Sequence, residues 1–303
     1  MKKLLLVSIL AMLLAFTGCS SVSAAKGVKK ISIVTPYLSS VTTNKMVETM
    51  KSGMEAKGWE VNVIDTKGDV ASLASRMEDV ISTKADAIVI VSTDPNQVST
   101  QIEKAKAANI PVFGCDSGFI EGMTVNATSD NYAMGEQLTK YIAEAINEKG
   151  TIIAFTHRPH PGVVKRSEAM DALLPTYPNI TLITEQHVEV PGPIESARKT
   201  MENLLLSNPE KGSITAVWAA WDEPAIGAAQ AIEAAGRTEI IVAGVDGNSQ
   251  AVEMIKNGSV LKATVSQNFD GMAKIVIDEM EKVFNGETIE KGDKYAPATL
   301  ITK

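Results

Sequence analysis

The stretch "WAAWDEP", Trp218 to Pro224, sets two of the chain's three tryptophans beside two acids and a proline. Paired carboxylates do general acid–base work only when both reach one substrate atom. Asp222 and Glu223 are consecutive at a strand-to-helix junction, so their side chains diverge and make no such pair. The pattern instead predicts Asp222 as a helix N-cap, with Pro224 in the first turn where no amide hydrogen is needed and Glu223 favouring the helix dipole. Strand alternation sends Trp218 to the core and Trp221, at the open strand end, toward a cleft. Two more acids, Asp116 in "VFGCDSG" and Asp246 in "AGVDGN", each close an apolar run. "HRPH" sets His157 and His160 three apart. With His187 the only other histidine and no cysteine cluster, a closed zinc site is not expected, and solvated or cleft-edge histidines are. There is no glycine-rich nucleotide signature and no nucleophile elbow, so neither a cofactor, a metal nor an enzyme mechanism is implied. Cys115, on the opposite face of its strand from Asp116, reads as a buried inert thiol.

Positioning these residues requires a regular scaffold, and the sequence supplies one. Short β-branched runs at 31–37, 59–66, 87–93 and 111–116 read as buried strands. The segments between them, 44–58, 70–83 and 95–109, carry apolar residues at helical spacing. The rhythm repeats, with strands at 151–157, 180–186, 214–221 and 240–247 and helices at 162–177, 194–208 and 224–236. "ADAIVIVSTDP" then "KAKAANIPVFGCD" overlays "ITAVWAAWDEP" then "AIEAAGRTEIIVAGVD". This predicts an α/β protein of two similar doubly wound parallel-sheet domains. It also puts Asp116 and Asp246 at equivalent strand ends, the place where ligands bind in open α/β sheets, so both acids are expected in one interdomain cleft.

Composition narrows the classes. A charged "MKK", the apolar run 4–16 and then "TGCS" read as a cleaved signal over 1–18, too short to span a bilayer. The junction resembles a bacterial lipobox, which makes Cys19 a lipidation site and 19–28 a lipidated tether, although Phe16 stands where leucine is usual. The alternative is an ordinary signal cut after Ala24 or Ala25. Either places the mature protein outside the cytoplasmic membrane, touching it only through a lipid. If Cys19 carries lipid, Cys115 has no disulfide partner, and an apolar core must hold the fold. Formal net charge is −7, or −9 once Lys2 and Lys3 leave with the signal, with no basic stripe for nucleic acid. No coiled coil or exposed apolar stripe is evident, so a monomer is expected.

The segments "DAIVIVSTDP", "AANIPVFGCDSG", "VNATSDNYAMG", "WDEPAIGAAQAIEAAGR", "IIVAGVDGN" and "LKATVSQ" together resemble type I periplasmic sugar-binding proteins of the ribose-binding group, the receptors of ABC importers. The resemblance runs from Lys29 to the end. It implies two domains joined by a three-strand hinge, one formed by 29–129 with 268–296 and the other by 130–267 with 297–303. It implies a small-molecule ligand (a pentose, hexose or polyol) and an ABC permease and ATPase complex as partner. A sensory receptor of the same fold, reporting a sugar or autoinducer to a membrane kinase or chemoreceptor, is the alternative. The repressors that share this core lack a signal peptide and carry a DNA-binding head, which this chain does not show. By resemblance the ligand contacts are Asp116, Arg166, Asp246 and Gln267. Thr42 and Thr43 stand where the family has two ribose-clamping phenylalanines, Ser117 replaces an arginine, and Trp221 replaces an asparagine. An aromatic wall rebuilt from Trp221 and Tyr37 is therefore expected.

Overall fold

A computed structural model describes residues 27–303. The signal at 1–18, Cys19 and the tether up to residue 26 lie outside the described residues. The chain opens with β1 (Lys30–Thr35), α1 (Val41–Ala56), β2 (Glu60–Asp65), α2 (Val70–Ser82), β3 (Ala87–Val91), α3 (Ser99–Ala107), β4 (Val112–Cys115) and β5 (Val125–Thr128). There follow α4 (Asn131–Ala145), β6 (Gly150–Thr156), α5 (Pro161–Leu173), β7 (Ile180–His187), α6 (Pro193–Ser207) and β8 (Ala216–Ala219). It ends with α7 (Asp222–Ala234), β9 (Ile241–Asp246), α8 (Ser249–Lys256), β10 (Leu261–Ser266), α9 (Phe269–Phe284), β11 (Gly292–Tyr295) and β12 (Thr299–Thr302).

These strands form two six-stranded sheets with the same order, β2-β1-β3-β4-β5-β11 and β7-β6-β8-β9-β10-β12. Every pairing is parallel except β10 with β12. The duplicated rhythm of the sequence is thus a duplicated topology, and β4 and β9, which deliver Asp116 and Asp246, are the fourth strand of each copy. Parallel strands are covered on both faces by their crossover helices, which is why β3 is the unbroken apolar run AIVIV and is buried at every residue. One face of the first sheet packs on α1 and α9 through Met46, Met50, Met272 and Val276, and the other on α2 and α3 through Leu73, Met77 and Ile102. The second sheet has its own core, centred on Trp218, whose indole N–H donates to Thr139 Oγ1 at 3.1 Å. The chain passes between the sheets three times, after β5, after β10 and after β11.

Local details differ from the sequence expectation at the junction that opened it. β8 stops at Ala219, so Trp221 lies past the strand in extended backbone, and α7 begins at Asp222 rather than at Pro224. Asp222 is not an N-cap. Its carboxylate turns inward and accepts from the Asn248 amide at 2.8 Å and the Thr264 hydroxyl at 2.9 Å. The acid thus serves the β9–α8 turn and β10 rather than its own helix. Cys115 is buried with its sulfur 3.7 Å from that of Met46.

Candidate functional site

The carboxyl ends of both sheets face each other, and the space between them is a cavity lined by both lobes. The first lobe contributes Tyr37 from the turn after β1, Ser39, Ser40, Thr42 and Thr43 from the start of α1, Ser92 from the end of β3, and Asp116. The second contributes His157 and His160 after β6, Arg166 on α5, Val190, Pro193, Trp221, Glu223 on α7 and Asp246. Ser92, Asp116 and Asp246 all have positive φ, at 53°, 51° and 128°. For residues with a Cβ such backbone is strained, and its concentration at the strand ends that line one cavity marks a site.

Arg166 is the cation at the centre of the wall, 2 % exposed. Its Nε donates to Asn131 Oδ1 at 2.8 Å and its Nη1 to the Ala220 carbonyl at 2.7 Å, leaving Nη1 3.7 Å from Asp246 Oδ1. The close approach of α4 and α5 that puts the arginine there needs Gly135, because a Cβ at that position would collide with the Arg166 backbone. Asp246 also accepts from Gln267 Nε2 at 2.8 Å. Gln267, expected as a ligand contact, is not among the residues that line the cavity, and its amide holds the Asp246 carboxylate. Asp116 is 6 % exposed and its Oδ1 has no hydrogen-bond partner. Burial pushes its carboxyl up to about 6, against the opposing pull of Arg166 and the Ser92 hydroxyl. The same desolvation raises Asp246, again opposed chiefly by Arg166.

The two histidines were the residues sequence reasoning undervalued. His160 caps α5, its Nδ1 accepting from the Gly162 amide at 3.1 Å and the Val163 amide at 3.4 Å. A nitrogen that accepts carries no proton, so in the neutral ring the hydrogen is on Nε2. Burial, Arg166 and His157 hold the imidazole down at about 3, so it is uncharged at neutral pH. Its Nε2, 3.7 Å from Asp116 Oδ2, is thus a neutral donor facing a carboxylate and not half of an ion pair. His157 has the opposite tautomer. Its Nδ1 lies 3.0 Å from the Val188 carbonyl, which can only accept, and its Nε2 is left to accept from the Tyr37 hydroxyl at 3.5 Å. The Tyr37 and Trp221 rings both pack edge-on to His157, at 6.0 and 6.3 Å, giving one continuous aromatic wall. The signal for both histidines was present, since "HRPH" follows a strand exactly as Asp116 and Asp246 do, but imidazoles in a polar loop carry no apolar periodicity to set their direction.

Ser117, where the resemblance had lost an arginine, stays off the wall. Its hydroxyl accepts from the Thr93 amide and donates to the Ile90 carbonyl, at 3.1 and 3.2 Å. Glu223 is a further residue whose role sequence reasoning missed, because its partner Ser40 is in the other lobe. Its Oε2 accepts from Ser40 Oγ at 2.9 Å and from Trp221 Nε1 at 3.3 Å.

The model for the periplasmic binding protein domain matches residues 31–288. The chain belongs to the periplasmic binding protein family. Among curated relatives, this periplasmic binding protein is 28 % identical to the ribose import binding protein of Bacillus subtilis, over 87 % of its own length and 85 % of that protein's. It is also 28 % identical to the D-apiose import binding protein of Actinobacillus succinogenes, over 99 % of this chain and 95 % of the other. Among solved structures it is similar to an ABC sugar transporter subunit from Rhodobacter sphaeroides, with TM-score 0.86 and 28 % identity over 91 % of this chain and 98 % of that one. A solute-binding protein from Agrobacterium vitis with bound allitol gives TM-score 0.86 at 27 % identity, over 90 % and 95 % of the two chains. The type I sugar-binding resemblance read from the sequence is therefore shown, and the protein is a binding protein rather than an enzyme.

Proposed function

We propose that this protein is a lipid-anchored extracytoplasmic receptor that captures a sugar or polyol in the interlobe cavity and delivers it to an ABC importer. The observation that carries the reading is a repeated geometry. Arg166 with Asp246 and His160 with Asp116 are each a donor and an acceptor 3.7 Å apart. That gap is too long for a direct hydrogen bond, yet one hydroxyl oxygen can stand about 2.8 Å from both members, accepting from one and donating to the other. Two such seats suit two hydroxyls of one small molecule, and the Trp221–Tyr37 wall suits its C–H face. A neutral polyhydroxylated ligand uses every one of these groups. Thr42 and Thr43, in place of an aromatic clamp, make the first-lobe side of the site hydroxyl-rich, which points away from ribose itself toward another pentose, a hexose or an alditol.

The relatives that carry import binding protein in their names support delivery to a permease and ATPase complex, and with it an address outside the cytoplasmic membrane. The proposed moving bodies are 29–129 with 268–296 and 130–267 with 297–303, closing about the three crossings as a monomer. Cys19→Ser is expected to move the protein from the membrane to the soluble extracytoplasmic fraction.

A thermal-shift screen of the mature chain without Cys19 tests the reading, with pentoses, hexoses, alditols, sugar acids, nucleosides and autoinducer analogues. Ligand at about 100 times its Kd adds roughly 2.7 kcal/mol to stability. A shift with one carbohydrate, lost in Asp246→Ala and Trp221→Ala, is the expected result. No shift with any sugar or alditol, and a shift with another class, overturns the ligand assignment.

A further inference from the structure

We infer that Glu223 is a positioning residue for ligand capture, capping α1 of the opposite lobe and so latching the cleft in its closed form. The inference rests on the reading of the cavity as the ligand site. Ser40 stands at the N-cap of α1 with no side-chain capping bond of its own, and the first turn of that helix has no acid. A sixteen-residue helix without either leaves unpaired amides and a positive dipole end at its start. The Glu223 carboxylate supplies what is missing, from 183 residues away in sequence. It accepts from Ser40 Oγ at 2.9 Å, and the Val41 amide donates to the same carboxylate.

The contact is conditional on closure, because its two sides belong to different sheets. In the open form the carboxylate and the start of α1 would both be hydrated. In the closed form they satisfy each other, with Glu223 only 5 % exposed. An interaction present in one state and absent in the other shifts the equilibrium between them. Glu223 also accepts from Trp221 Nε1 at 3.3 Å, so the same closure that seats the cap fixes the indole of the aromatic wall. Its immediate neighbour Asp222 faces the opposite way and braces the second lobe internally, through the Asn248 amide and the Thr264 hydroxyl.

Single-molecule energy transfer between dyes on Glu60→Cys and Thr181→Cys reads the open and closed populations. Both positions are exposed, on β2 and β7, the edge strands farthest from the crossings, and Cys115 is buried from label. The ligand-free mature chain without Cys19 is expected to show a minor closed population, which Glu223→Ala lowers about tenfold, the scale of a lost helix cap strengthened by charge. Glu223→Gln keeps an acceptor without the charge and falls between the two. The thermal midpoint of Glu223→Ala is expected to match that of the wild type, whereas a residue needed only to start α7 would move the midpoint and leave the populations alone. Should Glu223→Ala not fold, Ser40→Ala removes the donor from the other lobe and is expected to lower the closed population in the same direction. Equal closed fractions in wild type and variant, or no closed population in the ligand-free wild type, overturn the latch. D-ribose and xylitol added as probes report separately on the ligand class: if neither changes the populations, that class loses support while the ligand-free comparison still decides the latch.

Discussion

Asp116 is held by its surroundings in a state that its chemistry resists. It is a carboxyl at the end of a buried strand, strained in backbone, with one oxygen unpartnered and its ionisation delayed to about pH 6 by burial. Because the folded pKa lies above the ordinary 3.8, the folded chain binds the extra proton between those values. Its contribution to stability is therefore fully present below about pH 4 and lost as pH rises through about 6. In urea titrations of the ligand-free protein, Asp116→Asn is expected to remove a decline of roughly 3 kcal/mol across that window. Binding has the opposite sign. A ligand hydroxyl that donates to the carboxylate favours the ionised form, so affinity is expected to rise from pH 5 to pH 7, with calorimetry showing proton release at the lower end. A flat profile would mean that Asp116 takes no hydroxyl. Arg166 presents a different balance. Arg166→Met strands the Asn131 side chain and leaves Asp116 and Asp246 without their cation, a loss of about 3 kcal/mol by analogy with other broken buried charge pairs. Chemical denaturation measures it, and an unchanged midpoint would show that the two acids are already protonated in the ligand-free protein.

At the scale of elements, the site depends on where strands stop. β4 ends one residue before Asp116 and β9 at Asp246, and both strands run parallel to neighbours that are buried on both faces. The turn after β9 is tied to α7 by Asp222, through the Asn248 amide and the Thr264 hydroxyl. Asp222→Ala leaves those two buried donors unpaired, and a cost of about 2 kcal/mol with weaker ligand binding is expected, since the turn carries Asp246. A stability loss without any change in affinity would separate the brace from the site. The contact of α4 with α5 gives a second test. Gly135→Ala forces apart two helices that meet at the Arg166 backbone, an overpacking cost of about 1 to 3 kcal/mol, and the displaced guanidinium should weaken binding as well.

For the whole molecule, the decisive feature is that two lobes with separate cores meet through polar contacts: Ser40 with Glu223, Tyr37 with His157, and Asp116 facing His160. Polar groups can be rehydrated at little cost, whereas an apolar interface of the same size would lock the lobes together. Under the proposed function such a molecule is expected to open and close on its three crossings. Scattering in solution is expected to show a smaller radius of gyration with saturating ligand than without. Equal radii would rule out hinge closure as the capture step.

The duplicated α/β rhythm, the equivalence of Asp116 and Asp246 and the burial of Trp218 were all determined by the sequence alone. Each follows from short-range periodicity, which fixes how a strand or helix presents its side chains before any tertiary contact forms. The family resemblance added Arg166, Thr42 and Thr43, and the expected aromatic wall added Tyr37; all four line the interlobe cavity. What only the tertiary structure decided are the relations between distant segments. Gln267 bonded the Asp246 carboxylate, Asp222 turned from its own helix to serve the β9–α8 turn, and His157 and His160 entered the site with opposite tautomers. Glu223 found its partner 183 residues earlier. A local pattern records which face a residue is on; the hydrogen-bond partner of a polar side chain at a lobe boundary depends on what the other lobe brings to it.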